Sequence, residues 1–118
     1  MKKLLLAVIV SLTTISSVAL AEIKVGIILG FTGPIETLTP AMRDSAKLAF
    51  AEVSSSGALL GGETITPLIA DSTCVDSDAA VAAAEILIND GVVAIMGADC
   101  SGVTGAIATN VAVPNGVT

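Results

Sequence analysis

Ten residues near the end of the chain, Gly97-Ala98-Asp99-Cys100-Ser101-Gly102-Val103-Thr104-Gly105-Ala106, are small, hydroxylated and glycine-rich. They follow a short apolar run, Val92 to Met96, and lead into a helix-like segment. A strand feeding a helix in this way turns unpaired backbone N–H groups and partial positive charge towards whatever lies beyond the strand. Ser101 is therefore a candidate for receiving an anionic group, with Gly102 and Gly105 permitting close approach. The same serine has a plain structural role open to it, because a hydroxyl at a helix start commonly caps a free backbone N–H. Thr32, in the turn Gly30-Phe31-Thr32-Gly33-Pro34, is a second, weaker candidate contact, since a turn threonine usually caps its own loop. Thr104, in the first helical turn, reads as structural.

Catalytic chemistry finds little support. The chain contains no histidine, so Ser101 lacks the usual base, and Lys24 and Lys47 fall on a strand and a helix away from it. The glycines at 26, 30 and 33 do not have dinucleotide-fingerprint spacing, and there is no nucleophile elbow or phosphate-binding loop. Asp71, Asp76, Asp78 and Asp99 do not form a calcium-loop pattern, and Asp76 and Asp78 are better explained as favourable charges at a helix start. The expectation is a binding protein, not an enzyme, with no metal and no cofactor.

Elements that position these residues alternate regularly. Ile23 to Leu29 is a β-branched apolar run suited to a strand buried on both faces. Thr39 or a neighbour is placed to cap a helix with Pro40 in its first turn. Met42, Ala46, Ala49 and Val53 form its apolar stripe, and Gly57 a left-handed end. A second strand spans Thr64 to Ala70, with Pro67 demanding an edge position or a bulge. Asp76 caps a second helix running to Asp90, with Ala80, Ala84, Leu87 and Ile88 facing inward and Gly91 as terminator. Val92 to Met96 is the third strand, and a third helix runs from Ser101 to about Asn110. This order predicts an α/β fold, a parallel sheet with flanking helices, whose ligands lie beyond the carboxyl ends of the strands.

The whole chain of 118 residues has single-domain length. Lys2 and Lys3, the apolar run from Leu4 to Val10, and Ala19-Leu20-Ala21 form a signal peptide over residues 1–21, cleaved after Ala21. Serines and threonines between residues 11 and 17 interrupt the apolar stretch, which disfavours a membrane anchor. No direct membrane insertion is expected after cleavage. Removing Lys2 and Lys3 from the five basic residues leaves Lys24, Arg43 and Lys47 against eleven acidic ones, a net charge of −8. Such a balance disfavours nucleic acid and anionic membrane surfaces as partners. Export places Cys74 and Cys100 in an oxidising compartment, where a disulfide is the natural reading and two buried free thiols the alternative.

Taken together, the signal peptide, Lys24-Val25-Gly26-Ile27-Ile28, Thr32-Gly33-Pro34, Gly61-Gly62, Asp71 with Cys74, Asp90-Gly91 and Gly97 to Ser101 resemble the leucine/isoleucine/valine-binding proteins. These are type I periplasmic binding proteins of ABC importers. The resemblance implies a periplasmic solute-binding component that captures amino acids, branched-chain ones first, or related small amides, and hands them to a membrane permease. It implies that Ser101, following the second cysteine, binds the ligand's α-carboxylate. Cys74–Cys100 would be the family's N-lobe disulfide, and Leu38 would stand where the family carries an aromatic that touches the ligand side chain. Family members are much longer, so residues 22–118 are expected to form a partial N-terminal lobe. A ligand-sensing receptor domain of the same fold is the alternative.

Overall fold

A computed structural model describes residues 22–118; the signal peptide and cleavage site expected from the sequence lie outside the described residues. The elements run β1 (Glu22–Leu29), α1 (Thr39–Ser56), β2 (Thr64–Asp71), α2 (Ser77–Asn89), β3 (Ala94–Gly97) and α3 (Ser101–Ile107), which continues as a π-helical stretch, Ala108–Ala112. The three strands form one parallel sheet in the order β2-β1-β3. β1 is central because its sequence tolerates burial on both faces: Ile27, Ile28 and Leu29 are almost fully buried.

Alternation along β1 divides the core between two faces. Ile28 packs with Ala80, Ala84 and Leu87 of α2, Val92, and Val103, Ile107 and Val111 of the third helical segment. Gly26 lets α2 approach, since a Cβ there would lie 2.8 Å from Leu87 Cδ1. Asp76 caps α2 as its sequence suggests, accepting the N–H groups of Asp78 and Ala79. Lys24 Nζ donates to the carbonyl of Asp90 at the other end of the helix, where a cation complements the dipole. Gly91 has φ +86° directly afterwards.

The opposite face is covered by α1, and here the structure departs from the sequence pattern. Met42 and Val53 are 41% and 42% exposed, and Ala49 is exposed as well. The face turned to the sheet is instead Thr39, Arg43, Ala46, Phe50 and Ser54. Hydrogen bonds and one cation–ring contact select it. Ser54 Oγ accepts the N–H of Ile65 at the start of β2, and the Arg43 guanidinium lies 5.8 Å from the Phe31 ring centroid. Thr39 is not the cap. Leu38 occupies that position without a side-chain cap bond, while fully buried Thr39 donates its hydroxyl to the carbonyl of Gly30 at 3.1 Å.

Pro67 takes the edge position that its chemistry demands, and the boundaries of β3 and the third helix shift. Pro67 lies on the edge strand β2, paired with Val25 in regular register and needing no bulge. β3 begins at Ala94, because Val92 belongs to the core beneath the sheet. The third helix ends its α-helical part at Ile107 and widens to π geometry through Ala112. Beyond it, the Thr118 carbonyl accepts the N–H of Ile95 on the open side of β3.

Candidate functional site

All the polar loops singled out in the sequence gather at the carboxyl ends of the three strands, where open α/β sheets bind ligands. The exit of β1 is held from both sides. Asp99, just past β3, accepts the N–H of Gly30 through Oδ2 at 2.8 Å. Asp71, the last residue of β2, accepts the N–H groups of Phe31 (2.9 Å) and Thr32 (3.3 Å) through Oδ1, and the Thr32 hydroxyl through Oδ2 at 2.6 Å. The N–H of Thr73 completes the set at 2.8 Å. Partial burial pushes the Asp71 carboxyl up, but the hydrogen bonds from the Thr32 side chain and from the backbone of Thr73, Thr32 and Phe31 outweigh it and hold the group below its ordinary value. The two aspartates thus brace the exit of β1 from either side. Among the described residues, no cluster of His, Cys, Asp or Glu has metal-binding geometry.

The two glycines of the β1 exit are placed by these neighbours. Gly33 has φ +95°, and any side chain there would collide with the carbonyl oxygen of Thr73. A Cβ at Gly30 would stand 3.2 Å from Cys74 Cβ and 3.3 Å from Ile35 Cγ1. Thr73 and Cys74 themselves adopt left-handed backbone, φ +57° and +72°. Neither has the side chain that favours this region, so the loop between β2 and α2 is locally strained and depends on its surroundings.

Among those surroundings is a covalent link. Cys74 and Cys100 form a disulfide, with Cα atoms 5.2 Å apart, and there is no free cysteine among the described residues. Cys100 is the N-cap residue of α3 and makes no side-chain cap bond; its sulfur instead ties the helix start to the loop after β2. Thr104 secures the same turn, its hydroxyl lying 2.6 Å from the carbonyl of Ala98 and 2.9 Å from that of Cys100. Its structural role is the one its position suggests.

Ser101 stands at the first helical position, exposed, and does not cap the helix. The N–H groups of Ser101, Gly102 and Val103 precede the first intrahelical bond, which Thr104 N–H makes to Cys100. Above Gly102 and Gly105 the space is open: a Cβ at either would meet nothing within 4 Å. Thr32 is exposed on the neighbouring loop, with its hydroxyl proton engaged by Asp71 and not by its own turn. Leu38 is 62% exposed at the cap of α1. Phe31 is half-buried under Arg43. The structure therefore brings Ser101, Gly102 and Thr32 to adjacent strand exits, with Leu38 at the head of the adjoining helix. Sequence reasoning missed Asp71 and Asp99 as organisers of this edge, since their partners on the β1 exit lie 39 to 69 residues away.

Residues 22–117 match the sequence model of a family described as periplasmic binding protein. The chain belongs to the periplasmic binding protein family. One curated relative, the Leu/Ile/Val-binding protein BraC3 of Rhizobium johnstonii, is 29% identical over 101 residues, covering 86% of this chain and 27% of the relative. Among solved structures, the fold superposes on the branched-chain amino acid transporter substrate-binding protein LivJ from Streptococcus pneumoniae, in complex with isoleucine. That match has TM-score 0.72, 26% identity, and coverage of 82% of this chain and 27% of that one. A putative branched-chain amino acid ABC transporter protein from Rhodospirillum rubrum gives TM-score 0.71 at 25% identity, with 82% and 28% coverage. A type 1 periplasmic binding protein from Bordetella pertussis gives 0.67 at 26% identity, covering 82% of this chain and 26% of the other. The chain thus spans about a quarter of the length of these periplasmic binding proteins, and its α/β parallel sheet is the fold it shares with them. Among the described residues no helix is long and apolar enough to cross a membrane.

Proposed function

We propose that this periplasmic binding protein chain contributes one wall of a cleft that captures amino acids, branched-chain ones first, as the solute-binding component of an ABC importer. The observation that carries the reading is Ser101: an exposed hydroxyl at the start of α3, free of a capping duty, beside open space over Gly102 and fixed by the Cys74–Cys100 link. A hydroxyl and unpaired N–H groups in that position suit a ligand carboxylate. The names of the relatives support the same class of ligand, since one is a Leu/Ile/Val-binding protein and another was solved with isoleucine. Leu38 would meet the ligand's side chain, with Thr32 and Gly102 lining the cleft beside Ser101.

In this reading residues 1–21 direct export and are removed after Ala21, residues 22–118 form part of the N-terminal lobe, and the loaded protein docks on a membrane permease. Catalysis is no part of it. Thermal melting of the protein, in the longest form its gene encodes, with a panel of amino acids tests the reading. A ligand at one hundred times its Kd stabilises the folded state by about 2.7 kcal/mol, so leucine, isoleucine or valine should raise the melting temperature measurably. No shift with any amino acid at millimolar concentration would count against it.

A further inference from the structure

We propose that the outer edge of β2 is built to refuse strand pairing, with Pro67 and Ser54 together keeping a second copy of the chain from adding to the sheet. The strand needs such a device. Among the described residues β2 is an edge strand, in the order β2-β1-β3. It is 8 residues long, Thr64 to Ala70 carry no charged side chain, and Ile69 is 44% exposed. Long, apolar, uncharged edges are templates for association between copies.

Backbone direction decides which groups face outward. Alternate residues of a strand in a parallel ladder turn their N–H and C=O groups to opposite sides. Ser72 N–H donates to the Leu29 carbonyl of β1 at 2.9 Å, so the even-numbered residues of β2 face β1. Ile65, Pro67 and Ile69 face the open side. There the Ile65 N–H is taken by Ser54 Oγ of α1 at 2.9 Å, while that hydroxyl donates to the Phe50 carbonyl at 2.7 Å. Pro67 has no N–H to give. Because its nitrogen faces outward, the pairing of Pro67 with Val25 of β1 is undisturbed. The middle of the edge is left with the Ile69 N–H as a donor. A second β2 lying antiparallel and centred on Pro67 would set Pro67 against Pro67 and Ile65 against Ile69. The central pair could exchange no hydrogen bond, and each flanking pair would lack the one that Ile65 should supply. Carbonyl groups brought together without donors lose their water for nothing.

The test is self-association of the longest form of the protein. Pro67→Thr restores an N–H while making the edge more polar, and Ser54→Ala frees the Ile65 N–H. By sedimentation equilibrium the double variant should self-associate about tenfold or more tightly than the wild type, with each single variant between the two. Hydrogen exchange locates the contact. The Ile69 amide should exchange at the same rate in the wild type at every concentration, and should be slowed about tenfold in the associated double variant. Ser54→Ala leaves the sequence of β2 intact, so it keeps the comparison readable where the strand substitution lowers the melting temperature. Association of the double variant or of Ser54→Ala no stronger than that of the wild type overturns the inference. So does association that leaves exchange at Ile69 unchanged, or a wild type whose own Ile69 amide becomes protected as its concentration rises.

Discussion

The carboxylate of Asp99 accepts the N–H of Gly30 at 2.8 Å, joining the loop after β3 to the exit of β1 across 69 residues of sequence. The same peptide unit presents its carbonyl, that of Leu29, to the N–H of Ser72 past β2. One peptide group thus fixes all three strand ends. Gly30→Ala should disturb this junction, because the added methyl crowds Cys74 and Ile35. A loss of about 1 to 3 kcal/mol is expected for overpacking of this kind, measured by urea denaturation.

Acid should loosen the site through Asp71. Its carboxyl titrates below the ordinary value in the folded chain, because hydrogen bonds from Thr32, Thr73 and Phe31 favour the ionised form over the cost of burial. The associated stability is fully present above the unfolded value, about 3.9, and is lost as pH falls through the lower, folded value. Melting temperatures should therefore decline as pH drops below about 4, and Asp71→Asn should make that decline shallower. An unchanged slope would show that Asp71 is not a principal acid-sensitive brace.

Reducing the Cys74–Cys100 link should destabilise the chain. The cysteines are 26 residues apart, and closing a loop of this length contributes about 3 to 4 kcal/mol in the chain-entropy model. That is a large share of the total for a small domain. Melting with and without reductant, using Cys74→Ala with Cys100→Ala as the control, should show a drop only in the wild type. Equal melting of the wild type under both conditions contradicts the expectation.

Core and surface of the helices should respond differently. Leu87, buried against Gly26 and Ile28, should lose about 2 to 5 kcal/mol on replacement by alanine. Leu48 is 61% exposed on α1, and Leu48→Ala should stay within about 0.5 kcal/mol of the wild type. Denaturant midpoints of the two variants make the comparison.

These contrasts also show where sequence patterns are informative. Asp76 and Gly91 mark the ends of α2 because capping is local chemistry, settled within three or four residues. The strand alternation and the order of elements are legible for the same reason. The inward face of α1 is not, since Met42, Ala49 and Val53 have the right period yet Arg43 and Ser54 face the sheet. Their partners, Phe31 and Ile65, come from other elements, and hydropathy cannot register them. Asp71 and Asp99 are hidden similarly: each looks like a loop carboxylate until the sheet brings backbone N–H groups to it. Ser101 is visible as a helix start, but only the fold shows that Cys100, through its disulfide, holds the cap position and leaves the serine free of it.

Ser101 is where the account is most exposed to test. Isothermal titration of the longest form of the protein with leucine, isoleucine and valine should give saturable binding to at least one of them. Ser101→Ala should weaken that binding by tenfold or more, as expected for loss of a hydrogen bond to a charged group worth about 1.5 to 3 kcal/mol, with the melting temperature of the unliganded protein unchanged. Binding by Ser101→Ala that equals the wild type would contradict the account.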